Sequence, residues 1–404
     1  MATLRPFAAL RPPRDLAVAV AAPPYDVVDA GEAAAIAEGN PDSFLRVSRP
    51  EIGLASAASA DEVHAFGRRV LADLVGRGTL VRDPAPGLLV YRQAMGDAVQ
   101  TGVVGAVAVA DYRAGVIAIH EHTRFDKETD RTEHIAALSA HDEPVFLMYR
   151  PGTPGAVAVA GVLAQVTAGE PEYDLTRDGV RHTLWTVPPA DDPALVAAVA
   201  EMPTLYVADG HHRSAAAARH AAADPRPGAA EFPAVVFPAD ELTILAYNRA
   251  VRDLGRRTPQ SFLAALGDAF VVEPVDGPPT PARHEIGIYL AGVWWLAGAR
   301  DGVVDESDPI GRLDVSVLQD NVLAPLLGIA DPRADSRVAF VGGGRGTAEL
   351  ERLVDSGGYA VAFALHPTAT QDVMDVADAG QVMPPKSTWF EPKLLSGLFV
   401  HPID

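Results

Sequence analysis

The sequence predicts an α/β (mixed α+β) protein with two domains. Apolar runs that suit strands alternate with stretches of helical periodicity along most of the chain, and this alternation is typical of the class. The chain has 404 residues, 48% of them hydrophobic, which is enough for two domains or one large domain with a sizeable core. Because the pattern restarts after Ala246, we predict domains of residues 1–250 and 251–404.

Capping signals and periodicity define the elements of the first domain. Asp29 lies three residues before Glu32, a capping box that predicts a helix to about residue 38. Apolar runs at 87–95 and 101–112 flank Gly96-Asp97 and predict a hairpin. The remaining predicted elements are helices at 61–77, 155–167 and after Gly210, and strands at 116–123, 144–150, 182–187 and 205–208.

The second domain shows the same alternation and ends in a proline-rich segment. Its predicted elements are helices at 258–270, 313–329 with a break at Pro325, 346–357 and 371–380, a strand hairpin at 285–298, and strands at 337–344 and 359–368. Prolines fix the backbone of the segment 383–393, which we predict to be a strap that packs on the core and lends Lys386 to a site.

Composition excludes several functions. The 33 basic residues against 53 acidic ones give a net charge of −20, which disfavours binding to nucleic acid. The absence of cysteine excludes disulfides, thiolate catalysis and cysteine metal sites. Neither a signal peptide nor an uninterrupted apolar stretch long enough for a membrane span is evident, so we expect a cytoplasmic protein. The sequence does not determine the oligomeric state.

The densest chemical signal follows the apolar run 205–208. The next residues are Asp209, Gly210, His211, His212 and Arg213, before an alanine-rich helical stretch. A helix start offers free N–H groups and the positive end of the dipole, and arginine adds a bidentate donor. We therefore predict an anion-binding site. Asp209 can hold a metal, orient a histidine or cap the helix.

Two further segments carry candidate site residues. The segment 120–131 places His120, Glu121 and His122 at the end of a strand, where alternate histidines can bind a metal. Lys127 and Arg131 follow at helical spacing, as a phosphate clamp would need. In the stretch PPYDVV, prolines present Tyr25 and Asp26, which suit an entry turn or, for Asp26, a base or metal ligand.

Four segments, AAPPYDVV, HEHT…K…DR, YVADGHHR and MPPKSTWFEPKLLSGLFVH, occur in this order, and together they resemble a widespread bacterial and archaeal family known as a domain of unknown function. The DGHHR element is also similar to that of pyrophosphate-dependent free-serine kinases with a ParB/sulfiredoxin-like fold. The resemblance implies a ParB-like catalytic core in the N-terminal domain and a C-terminal α/β domain whose strap closes on the site. Ser214 departs from the large residue that usually follows the element.

The resemblance also implies an activity: phosphoryl transfer to a small-molecule hydroxyl, free L-serine, with pyrophosphate or a nucleotide as donor and Mg²⁺ as cofactor. Glu121, Asp209 or His212 would take the hydroxyl proton, and Asp209 would bind the metal. The expected substrate- and phosphate-binding residues are Tyr25, Asp26, His120, Thr123, Lys127, Arg131, Gly210, His211, Arg213 and Lys386.

Two other functions fit the same residues. A non-catalytic regulator that binds a nucleotide or phosphometabolite would keep Arg213 and would not need Glu121 as a base. A metal-dependent hydrolase would need His120 and His122 to converge with Asp209 on one point.

Overall fold

The computed structural model describes residues 1–55 and 57–404 and confirms the α/β class. The helices are α1 Ala17–Val20, α2 Ala30–Ala37, α3 Leu45–Ser48, α4 Ala60–Gly76, α5 Val109–Arg113, α6 Phe125–Leu138, α7 Pro154–Thr167, α8 Asp192–Ala200, α9 His211–Ala221, α10 Pro259–Leu266, α11 Asp314–Leu318, α12 Ala324–Leu327, α13 Gly346–Asp355 and α14 Thr370–Asp378.

Many short strands complete the secondary structure. They are β1 Leu4–Arg5, β2 Leu10–Arg11, β3 Val81–Arg82, β4 Leu89–Met95, β5 Ala98–Ala108, β6 Ile117–Ala118, β7 Ala140–His141, β8 Val145–Tyr149, β9 Tyr173–Arg177, β10 Val180–Thr186, β11 Leu205–Asp209, β12 Glu231–Pro238, β13 Thr243–Leu245, β14 Tyr247–Val251, β15 Phe270–Val275, β16 Glu285–Leu290, β17 Val293–Ala299, β18 Val338–Gly342, β19 Val361–Leu365, β20 Trp389–Glu391 and β21 His401–Pro402.

The chain forms two compact units, residues 1–242 with 392–404 and residues 243–391. The boundary differs from the predicted one near 250, because β13 pairs with β20 and so begins the second unit at residue 243. The end of the chain also differs, since it returns to the first unit. There β21 pairs with β7, and Val400 exchanges backbone hydrogen bonds with Leu10.

A nine-stranded mixed sheet organises the first unit. Its strands lie in the order β6-β11-β8-β12-β5-β4-β10-β9, with β1 beside β5. The central strands are buried, as expected for a sheet with both faces covered. The core on this sheet includes Leu4, Val103, Leu147, Val207 and Phe232.

The pairing of β6 with β11 brings two distant segments together. These strands are parallel neighbours, with Leu205 opposite Ile117 and Tyr206 opposite Ala118. Parallel strands end at the same edge of a sheet, so the loop before α6 emerges beside the turn before α9. The two helices then pack side by side, with Ile135 and Ala216 in one buried cluster.

The second unit is built on an antiparallel sheet of six strands in the order β15-β17-β16-β19-β14-β18. Its core includes Ala250, Trp294, Leu350 and Ala362. The helix predicted at 313–329 occurs as α11 and α12, joined by a π-helical turn at Gln319–Leu323 just before Pro325.

Several predicted elements differ in length. The capping box of Asp29 and Glu32 and the hairpin of β4 and β5 are confirmed. The strand predicted at 116–123 is only Ile117–Ala118, because the chain bends at His120 and Glu121. Strands β9 and β12 and helix α8 were not predicted. Along the described chain, the helices are all too short or too polar to cross a membrane.

We predict that Gly397→Ala destabilises the first unit by about 2–4 kcal/mol, through a strained backbone and an overpacked contact. Gly397 has φ of +85°, and an added Cβ would lie 2.7 Å from Cβ of Phe44. Urea unfolding measures the loss. Gly87→Ala is the matched control, because an added Cβ there meets no described atom within 4 Å. Equal stability of the two variants would contradict the prediction.

Candidate functional site

Gly210 forms the turn between β11 and α9. Its φ of +92° lies in the left-handed region that favours glycine. A Cβ added there would lie 3.0 Å from Nε of Arg213. The position therefore requires glycine for two reasons, backbone conformation and the close approach of a guanidinium.

The first turn of α9 begins without a side-chain cap. Gly210 is the N-cap residue, and no described side chain accepts a capping hydrogen bond there. N–H groups at a helix start have no partner within the helix, and the positive end of the dipole lies beside them. This end of α9 therefore favours an anion.

Two cations hold Asp209 at the end of β11. Nη2 of Arg213 donates to Oδ2 of Asp209 at 3.0 Å, and Nζ of Lys393 lies 3.6 Å from Oδ1. Burial alone would raise the pKa of Asp209, but Lys393 and Arg213 outweigh it and hold that pKa well below its ordinary value. Asp209 is therefore an ion-paired carboxylate, and its roles as base or metal ligand stay predictions.

Arg213 lies inside the turn rather than at the surface. Its Nη1 donates to the carbonyl of Pro144, and its buried Nε has no hydrogen-bond partner among the described residues. Burial alone would lower the pKa of Arg213, but the charges of Asp209, Asp26 and Glu143 raise it. Arg213 thus connects the turn to a second group of ionisable residues.

Glu143 is a buried carboxylate that sequence analysis missed. Its Oε1 accepts hydrogen bonds from the backbone N–H of Tyr25 at 2.9 Å and from Oγ of Ser396 at 2.7 Å. Its Oε2 has no partner among the described residues. Burial raises the pKa of Glu143 to about 7, although Arg213 opposes the rise. The available signal was an acidic residue immediately before Pro144 and a buried strand.

The second group of ionisable residues surrounds Glu143. It includes the predicted residues Tyr25, Asp26 and Arg131. The guanidinium of Arg131 lies 4.3 Å from the ring centroid of Tyr25 and donates from Nε and Nη2 to Asp130. Burial raises the pKa of Tyr25. Asp26 is exposed, and its charge acts on both Arg213 and Glu143. The structure therefore unites the PPYDVV segment with the DGHHR turn.

His120, Glu121 and His211 form a separate cluster on the other segment. One potential ligand atom from each lies within 4.8 Å of the others. The rings of His120 and His211 meet edge to face, with centroids 4.4 Å apart. His122 is exposed and is not in this cluster, so the predicted convergence of His120 and His122 with Asp209 is not observed.

The remaining predicted residues of this region make hydrogen bonds at the loop 119–124, which precedes α6. Nε2 of His212 accepts a hydrogen bond from the backbone N–H of Arg124 at 3.1 Å. The hydroxyl of Thr123 donates to Glu128 at 2.9 Å. The first bond joins the loop to the start of α9, and the second joins it to α6.

The predicted cations Lys127 and Arg131 lie in different environments, and Lys386 belongs to the other unit. Lys127 is exposed on α6, whereas Arg131 on the same helix is buried beside Tyr25. Lys386 belongs to the second unit, where its Nζ lies 5.5 Å from the ring centroid of Tyr247. The lysine that reaches Asp209 is Lys393, from the same proline-rich segment.

The donor atoms do not fit a resident Mg²⁺ ion. Magnesium requires near-octahedral oxygen ligands, usually carboxylates and waters. Lys393 and Arg213 already pair with Asp209, and the cluster of potential ligands near the turn contains two imidazoles and only one carboxylate. The expected magnesium cofactor therefore has no matching set of residues here.

Glu143→Gln should change the pH dependence of stability. A carboxyl with a pKa near 7 in the folded state and about 4.5 in the unfolded state binds more protons when folded, so the free energy of unfolding falls as pH rises between these values. The variant has no carboxyl at this position, so its free energy of unfolding does not fall in this way as pH rises. Urea unfolding from about pH 4 to about pH 8 should show the variant gaining about 3 kcal/mol relative to the wild type. A pH-independent difference would contradict the assignment.

Several solved structures show a distant likeness to this chain. A free serine kinase in complex with AMP is 11% identical, with 71% of this chain and 86% of that chain covered and a TM-score of 0.37. SbnI with C-terminal truncation from Staphylococcus aureus is 12% identical, with 72% and 85% covered and a TM-score of 0.38. A conserved hypothetical protein from Pyrococcus furiosus is 12% identical, with 71% and 90% covered and a TM-score of 0.35.

Structural likeness at these TM-scores transfers no function. No curated protein matches the chain. A family model does match, over residues 4–316, which is more than half of the chain. Three of the four segments that resemble a family of unknown function lie within this match, and the fourth, at 383–401, lies beyond it. The chain belongs to the family described as "Protein of unknown function (DUF1015)".

Proposed function

We propose that this chain transfers a phosphoryl group from pyrophosphate or a nucleotide to the hydroxyl of a small molecule, free L-serine. The observation that carries the proposal is the uncapped start of α9 next to two cations, Arg213 and Lys393. The resemblance of the DGHHR element to that of free-serine kinases supports serine as the acceptor.

Electrostatics at the turn favour a phosphate. Arg213 and Lys393 bring two positive charges to the carboxylate of Asp209, next to the helix start. Phosphoryl transfer depends mainly on such positioning and charge stabilisation. Magnesium enters this scheme with the phosphate donor, as part of the substrate.

The transfer needs a group that accepts a proton. The serine oxygen attacks phosphorus, the bond to the leaving phosphate breaks, and the hydroxyl proton passes to a carboxylate. Asp209 is a poor acceptor because its cations lower its pKa, and Nε2 of His212 already accepts a hydrogen bond. Two candidate acceptors of the hydroxyl proton remain, Glu121 and Glu143. Glu121 is half-buried beside the turn, whereas Glu143 is buried with a pKa near 7.

The direct test mixes the purified chain with L-serine, Mg²⁺ and either pyrophosphate, ADP or ATP, and measures O-phosphoserine by ³¹P NMR. We expect product with one of these donors. Lys393→Met should lower kcat/KM by about 100-fold, because it removes a cation beside the transferred phosphoryl group. Arg213→Ala is less informative, since it also removes the partner of Asp209 and of the Pro144 carbonyl.

Arg68→Met is the control for charge, since Arg68 is exposed on α4 in the same unit, and it should retain full activity. Comparison of Glu121→Gln with Glu143→Gln identifies the proton acceptor by the larger loss of kcat. No product with any donor, from protein whose melting temperature pyrophosphate raises, would overturn the transfer reaction and favour a phosphate-binding regulator.

A further inference from the structure

Two neighbouring βα connections supply the cluster of His120, Glu121 and His211. His120 and Glu121 lie in the bend that follows β6, and His211 is the first residue of α9 after β11. In extended backbone, adjacent side chains would point to opposite faces, so the bend is what lets His120 and Glu121 turn the same way. The parallel pairing of β6 and β11 fixes the third residue beside them.

The imidazoles of this cluster are buried and lack hydrogen-bond partners. His120 is 2% exposed and His211 is 6% exposed. Both ring nitrogens of His120 and Nε2 of His211 have no hydrogen-bond partner among the described residues. Buried polar atoms of folded proteins are nearly always satisfied, and leaving one unsatisfied costs about 1–3 kcal/mol. Even with the carbonyl of Val207 beside one nitrogen of His120, each of the two imidazoles has a buried nitrogen that can bind a ligand.

A backbone carbonyl lies beside one imidazole of the cluster. The ring of His120 interacts with the carbonyl of Val207. A backbone carbonyl near one ring nitrogen is the usual outer partner of a metal-bound histidine.

We propose that His120, Glu121 and His211 bind a divalent first-row transition metal ion such as Zn²⁺ or Fe²⁺. Two imidazoles and one carboxylate are a familiar ligand set for these ions and a poor one for Mg²⁺. Tetrahedral bonds of about 2.1 Å would hold the donors about 3.4 Å apart, so atoms now within 4.8 Å of one another would close by up to about 1.4 Å through side-chain rotation.

Three protein ligands leave at least one coordination position for a water or a ligand oxygen. The metal site does not depend on the proposed phosphoryl transfer, because it rests on different side chains from Lys393 and Asp209. If both proposals hold, Glu121 is a metal ligand and Glu143 becomes the acceptor of the hydroxyl proton.

The test measures metal binding and not activity. The full chain is stripped with a chelator and titrated with Zn²⁺ by calorimetry and with Co²⁺ by visible absorption. We expect one ion per chain, and d–d bands of Co²⁺ bound to nitrogen and oxygen. Glu121→Gln and His211→Gln should each weaken Zn²⁺ binding. Loss of an outer-shell partner weakens metal binding roughly 10–100-fold, and loss of a ligand should cost at least as much.

His122→Gln is the matched control, because His122 is adjacent in sequence, exposed and outside the cluster. It should bind Zn²⁺ as the wild type does. Circular dichroism checks that each variant is folded, and half-buried Glu121 is the substitution that should disturb folding least. Absence of stoichiometric binding, or binding that Glu121→Gln leaves unchanged in folded protein, would overturn the proposal.

Discussion

The buried guanidinium of Arg213 is the constraint on which the rest of this region depends. A charge removed from water is costly unless it is paired and hydrogen-bonded. Asp209 and the carbonyl of Pro144 supply its bonds, and its charge is felt at Glu143 on the other side. The same guanidinium lies close to Gly210, where an added Cβ would be 3.0 Å from Nε and the positive φ already favours glycine. One buried cation therefore fixes the turn that begins α9.

Sequence reasoning succeeded where chemistry is local. The capping box at Asp29, the hairpin at Gly96 and the strand–turn–helix at Gly210 each depend on neighbouring residues, and the structure has all three. The stretch PPYDVV and the family resemblance also pointed to Tyr25 and Asp26, whose charges act on Arg213 in the structure.

Sequence reasoning failed where the tertiary structure determines the environment of a residue. Glu143 gains its raised pKa from burial and Lys393 gains its role from the return of the C-terminus, and neither effect is visible in local sequence. The helical spacing of Lys127 and Arg131 suggested one clamp, yet burial separates their environments. The same limit applies to His120 and His122, since the bend after β6 replaces the expected strand alternation and gives His120 a different partner, His211.

The central claim is that the start of α9 holds a phosphate, and amide NMR tests it most directly. Pyrophosphate is titrated into deuterated, ¹⁵N-labelled protein, and the backbone amides of residues 210–213 are followed. The account predicts saturable downfield shifts at these amides that exceed those at the start of another helix in the same unit, α7, because N–H groups that bind an anion are deshielded. Saturable binding that leaves these amides unmoved would contradict it.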